Sequence, residues 1–295
     1  MSKTKKTKNK RAQRILIFFV FLIGLAIFSY PLFSRWYYQI DANQEVLDFR
    51  TEQSKLDEVE IEERLALAQA YNDSLVNYVA ADPYEKERLD QGLAEYARML
   101  ELHEKIGIVE IPSISVNLPV YAGTSEIVLQ KGVGHLEGTS LPIGGKSSHT
   151  VLTAHSGLPE AKLFSELEKM EIGDIFYIHN LGMTLAYEVD NILVIEPSNF
   201  EDLLIVQNQD YATLLTCTPI MINSHRLIVR GHRIAFDAGV RDDLIDSSKN
   251  ELLIRRLLTV ALILIVIFLI LIYRERKTHK KLITKLNKIN NSRDI

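Results

Sequence analysis

Three textures follow one another along the chain. After a polar start, Ile15–Phe33 is apolar throughout and carries no charge. From Asp41 to Glu104 the apolar residues thin out, and Leu56, Val59, Leu65, Ala68 and Leu75 recur at near-helical spacing among acids and glutamines. Asp82 precedes Pro83, which disfavours helix at Asp82 and suits Pro83 to a first helical position, so two helices are predicted, joined by a loop tipped by Asp82-Pro83-Tyr84. From Ile106 the period shortens. Strands are predicted at Ile106–Ile111, Leu118–Ala122, Ser148–Ala154, Ile175–His179, Thr184–Val194, Tyr211–Cys217 and Arg226–Phe236, with Gly, Pro and Asn between them. A short amphipathic helix is predicted over Ala161–Met170. So many irregularly connected strands point to a closed barrel, a mainly β fold. A second apolar run, Leu257–Tyr273, follows a polar connector.

These textures divide the chain into a basic tail 1–14, a membrane span 15–33, a helical region 34–104, a β-barrel domain 105–237, a connector 238–256, a second span 257–273 and a basic tail 274–295. The first run is long enough to cross ~30 Å of hydrocarbon. A cleaved signal peptide competes, but the run exceeds a usual signal core and no small-x-small site follows it. The second run, 17 residues, is at the lower edge for a span.

Charge sharpens the topology. The chain has 34 basic and 38 acidic residues; the first 14 hold seven basic and no acidic ones, and the last 22 hold eight and two. Between the tails lie 19 basic and 36 acidic residues, which argues against nucleic acid as a partner. Basic tails beside apolar runs place both termini in the cytoplasm, the middle outside, and the lipid bilayer among the partners.

One cysteine, Cys217, stands in the chain, so no internal disulfide exists and the exported domain must rest on its apolar core. Tyr211–Cys217 alternates as a half-buried strand, and Pro219, which cannot donate to a ladder, should end it near the thiol. A lone thiol there is either a buried structural group or a nucleophile. A nucleophile needs a base and an oxyanion donor. His155, in Thr153-Ala154-His155-Ser156-Gly157, sits just past a predicted strand before a turn, and His225 is the alternative base. Arg226 and Arg230, four apart on one strand face, are candidate donors, with an ion pair the expected role of Arg230. No zinc pattern and no phosphate loop is present, so neither metal nor cofactor is expected.

Thr213-Leu214-Leu215-Thr216-Cys217 resembles the Thr-Leu-x-Thr-Cys signature of sortases, the membrane-bound transpeptidases of Gram-positive bacteria. Thr153–Gly157 resembles their histidine segment, and Asn223-Ser224-His225-Arg226-Leu227 the segment bearing their arginine. The likeness covers about residues 80–237. The C-terminal apolar run and Asp82-Pro83-Tyr84, similar to an Asp-Pro-aromatic lid, resemble the pilus-assembling class C; Tyr84 stands where Phe or Trp is more usual, and Ile220-Met221 where many relatives have Tyr-Gly. The resemblance implies a closed β-barrel of about eight strands. It implies that Cys217 attacks the Thr carbonyl of an LPXTG-like sorting signal, that His155 moves protons, and that Arg226 holds the oxyanion. The acceptor it implies is a lysine of the next pilin. A housekeeping sortase that anchors proteins to the wall is the nearest alternative, and an inactive membrane-tethered scaffold the alternative from another class.

Overall fold

In a computed structural model, residues 3–75 and 99–250 are described, with 253–254, 257–261, 263–265, 268 and 272–273 beyond them. Asp82, Pro83 and Tyr84 lie outside the described residues. The chain divides into two units, residues 1–241 and 242–295.

The first unit opens with one helix, α1 (Lys3–Gln53), that runs without interruption from the basic tail through the apolar run and on for five further turns. No Gly or Pro stands between Leu32 and Gln53 to end it, so the expected boundary at residue 34 is a change of surroundings and not of structure. Leu16–Phe33 is largely exposed, and this is the helix among the described residues that is long and apolar enough to cross a bilayer. Past it, Ala42, Val46 and Phe49 form a buried stripe at helical spacing. A bend at residues 54–57 follows, and Asp57 caps α2 (Glu58–Ser74), its carboxylate accepting from the Glu60 N–H at 2.8 Å. The first of the two helices predicted around Pro83 is therefore itself broken at residues 54–57. The cap and the acids of the first turn favour a new helix start at Glu58.

The barrel is closed by eight strands: β1 (Lys105–Ile111), β2 (Val116–Ala122), β3 (Val133–His135), β4 (Ser148–Thr153), β5 (Ile175–His179), β6 (Thr184–Ile195), β7 (Asp210–Thr218) and β8 (His225–Ile234). Around the barrel they run β1-β2-β3-β4-β7-β8-β6-β5. The β2–β3 and β4–β7 pairs are parallel and the rest antiparallel. Seven strands match the sequence reading. The eighth, β3, is three residues long, too short for any period to register. It follows a short helix, α3 (Glu126–Lys131), capped by Ser125.

Ala161–Met170 does not form the predicted α-helix. Its N–H groups reach back three residues, as in Ser165 to Lys162, Leu167 to Phe164 and Met170 to Leu167, and only Leu167–Lys169 is a 3-10 turn. Ala161, Phe164, Leu167 and Met170, four of its five buried residues, stand three apart, and Leu163 is buried beside them.

Even- and odd-numbered residues of β7 and β8 face different surroundings. Leu214 and Val229 join the barrel interior with Val120, Val133 and Leu152. Leu215 and Ile228 join a smaller cluster of Leu136, Val151, Ile195 and Leu203 on the outer face. The β6–β7 segment, residues 196–209, supplies Leu203 to that cluster and covers it. Strand β7 is therefore buried on both faces and not half-buried as its alternation suggested.

The polar connector is helical from residue 238 through 250. Asp237 caps it, accepting from the Gly239 and Val240 N–H groups. Residues 257–273 are helical where they are described.

Candidate active site

Strand β7 ends at Thr218, ahead of a cis Thr218–Pro219 peptide, as the proline had suggested. In the antiparallel β7–β8 ladder Cys217 stands directly opposite Arg226, with Leu215 opposite Ile228 and Thr213 opposite Arg230. No register shift interrupts this stretch, so Cys217, Arg226 and Arg230 share the outer face. Both Cys217 and Arg226 are buried. The Arg226 guanidinium donates to the Asn223 and His225 carbonyls, each at 3.1 Å, which ties it to the β7–β8 turn.

His155 reaches the same rim from the parallel neighbour. Thr153 pairs with Leu215, and continuing that register two residues sets His155 level with Cys217, on a neighbour ~4.8 Å away. One more backbone bond and then side chains continue the contact where the ladder stops. The Ala154 N–H donates to the Leu215 carbonyl at 3.2 Å, and the Thr216 hydroxyl donates to the Ala154 carbonyl at 2.7 Å. The Ser156 hydroxyl donates to the carbonyl of Cys217 itself at 2.6 Å. His155 is mostly buried, its Nε2 3.5 Å from Glu126 Oε1 at the start of α3.

The alternative base and the other histidines of the barrel are placed elsewhere. His225 neighbours Arg226 on β8 and so points to the opposite face of the strand from Cys217; its Nε2 is 3.4 Å from Glu196. His135 is fully buried and bonded to the Ser140 carbonyl at 2.8 Å. His149 lies between the Leu204 carbonyl at 2.9 Å and the Thr213 hydroxyl at 2.8 Å. Desolvation pushes the pKa of each of these two down to about 4, so both are neutral structural groups at neutral pH. His179 is held between Glu110 and Thr184, both at 2.9 Å, and His232 is 3.8 Å from Asp190.

Arg230 has the predicted ion pair, its Nε donating to Asp190 at 2.9 Å, and lies 4.3 Å over the Tyr211 ring. Sequence reasoning missed the structural work of Thr213, Thr216 and Ser156. The available signal was hydroxyl residues recurring in a strand with no exposed face. Among the described residues no group of three His, Cys, Asp or Glu is placed to hold a metal ion. The rim thus brings together a thiol, a guanidinium and an imidazole, groups whose chemistry can supply a nucleophile, an anion-stabilising donor and a proton carrier.

Comparison with known proteins gives a consistent answer. The family description "Sortase domain" matches residues 109–234. Sortase A of Bacillus anthracis is 29% identical over 155 residues, 51% of this chain and 71% of that protein. The crystal structure of sortase C-1 from Streptococcus pneumoniae is 62% identical, with a TM-score of 0.65, covering 66% of this chain and all (100%) of that one. The pilus-related sortase C of Group B Streptococcus is also 62% identical, with a TM-score of 0.63, over 65% of this chain and 97% of that one.

Proposed function

The chain belongs to the sortase family, among its class C members, and is a cysteine transpeptidase; we propose that it polymerises pilin subunits. The observation that carries this reading is the pairing of Cys217 with Arg226 across β7 and β8, in a chain so similar over that whole domain to a pilus-related sortase C.

In this reading Cys217 passes its proton to His155 and attacks the Thr carbonyl carbon of an LPXTG-like sorting signal. The C–N bond breaks, the departing amine takes that proton from His155, and a thioester to Cys217 remains. A pilin lysine then attacks the thioester and gives a proton to His155, which returns it to the departing sulfur, leaving an isopeptide bond and the free thiol. Arg226 holds the oxyanion at both steps. Asp82, Pro83 and Tyr84 form a lid over the thiol, a role resting on the motif alone. The acidic domain lies outside the cell membrane, with spans at 15–33 and 257–273 and both termini in the cytoplasm. The basic tails support that placement.

Membranes carrying the full chain, incubated with pilin, should yield covalent pilin ladders on denaturing gels, and Cys217→Ala should abolish them. Transfer only to a wall-precursor amine would overturn the polymerising role. In the same preparation Asp82→Ala with Tyr84→Ala should speed alkylation of Cys217; unchanged kinetics would remove the lid.

A further inference from the structure

We infer that the β7–β8 turn, Ile220-Met221-Ile222, docks on the lipid surface and sets the catalytic rim against the bilayer. The inference rests on reading residues 15–33 as a membrane span. The helix that carries the span enters the domain without a break, so the height of the barrel above the lipid is fixed by where it touches α1. Tyr30, Phe33, Trp36 and Tyr37 are exposed on α1 and mark the level of the interface, where aromatic side chains gather.

Arg35 lies inside that belt, and its Nε donates to the Pro159 carbonyl at 3.1 Å. One turn on, the Tyr38 hydroxyl donates to the Lys131 carbonyl at 2.6 Å. The loop after His155 is therefore held at headgroup level, about 3 Å along the helix axis from Phe33. Gly157 in that loop packs on the β7–β8 turn: a Cβ there would stand 2.5 Å from Ile220 Cγ2, and its φ of +76° suits glycine. From Pro159 to Gly157 is at most ~7 Å of chain, so the turn shares the level of the belt.

At that level the turn presents apolar side chains outward. Met221 is 85% and Ile222 71% exposed, and Asn223 and Ser224 follow at once. A contiguous apolar tip rimmed by polar residues marks a contact surface. Here the surface at hand is lipid, because the domain's own span is next to it. A substrate segment emerging at the headgroups would meet Cys217, four residues before Met221, without a climb.

The test uses the full chain in vesicles of phosphatidylglycerol and a phosphatidylcholine brominated near the headgroup end of its acyl chains. Trp36 is the sole tryptophan and reports the belt in the wild type. In a Trp36→Phe background, Ile222→Trp should be quenched at least about half as strongly as Trp36. Met221→Trp repeats the measurement at the neighbouring position. Met183→Trp supplies the distal control, since Gln53, which donates to the adjacent Leu181 carbonyl at 2.9 Å, lies eighteen residues or about 27 Å along α1 from Arg35. Quenching of Trp36 with none at positions 222 and 221 overturns the docking and leaves the span standing. So does an emission shift at 222 that answers to sorting-signal peptide and not to brominated lipid. An unquenched Trp36 removes the span, and the inference with it.

Discussion

Arg226 and Arg230 occupy one face of β8, yet they sit in different surroundings. Arg230 is paired with Asp190 and stacked on Tyr211, so its charge is already answered. Arg226 is buried opposite the thiol and bonded to two neutral carbonyls of the adjoining turn. These bonds hold the guanidinium beside the thiol, where a developing anion would meet it. Arg226→Ala should therefore lower kcat of transpeptidation ~10²–10³-fold, the usual cost of one oxyanion donor. Arg226→Lys should recover little of this, since a point charge lacks the planar fork. Arg230→Ala should cost less than about tenfold, under ~1.4 kcal/mol of barrier. Steady-state assays of the three variants decide the matter, and equal losses at both arginines would sink the assignment. At this scale much was legible: Cys217, its position before Pro219, and the shared face of the arginines follow from strand periodicity. The choice between His155 and His225 was not, because it turns on a parallel register between β4 and β7 that lies 60 residues apart in sequence.

The elements that sequence misjudged are those whose form depends on a partner. Strand β7 reads as half-buried by itself, but residues 196–209 cover its outer face and bury Leu215 beside Leu203. His149 fastens that cover. Carbonyl oxygens only accept, so Nδ1 must carry the proton donated to Leu204, and Nε2 accepts from the Thr213 hydroxyl. A charged ring could not accept from Thr213, and burial opposes the charge as well. The sign of the pH dependence follows. The folded pKa values of His149 and His135 lie near 4, below the ordinary 6.5, so the unfolded chain binds more protons in that interval. Their contribution is complete above pH 6.5 and falls away as pH drops toward 4, by roughly 3 kcal/mol for each. The urea midpoint should decline from pH 7 to pH 5, and His149→Asn should flatten that slope while lowering stability at pH 7. Retention of the full wild-type slope in the variant would remove His149 from the account.

At the scale of the whole molecule, the domain is larger than its recognisable part. The family description matches from residue 109, yet α1 is fastened to the barrel well before it. Gln53 donates to the carbonyls of Asn180 and Leu181, Glu45 pairs with the buried Lys105 of β1, and Phe49 is fully buried in the main core. Asn72 of α2 adds a two-way amide bond to the backbone of Leu141. The polar, acid-rich texture of residues 34–75 concealed this, since a helix laid on a barrel needs only a narrow apolar stripe. Val59, counted in the apolar pattern, is in fact exposed, whereas Phe49 lies in the stripe that does pack. If α1 were merely a stalk, trimming Phe49 would cost little. As part of the core, Phe49→Ala should destabilise the domain by about 3–5 kcal/mol, the cost of emptying a fully packed aromatic site. Phe28→Ala, in the exposed apolar run, should leave the domain's stability within about 0.5 kcal/mol. Urea unfolding of the full chain in detergent, followed by tyrosine fluorescence, measures both. Equal small effects would reduce α1 to a tether; the expected gap makes the stretch around Phe49 part of the core.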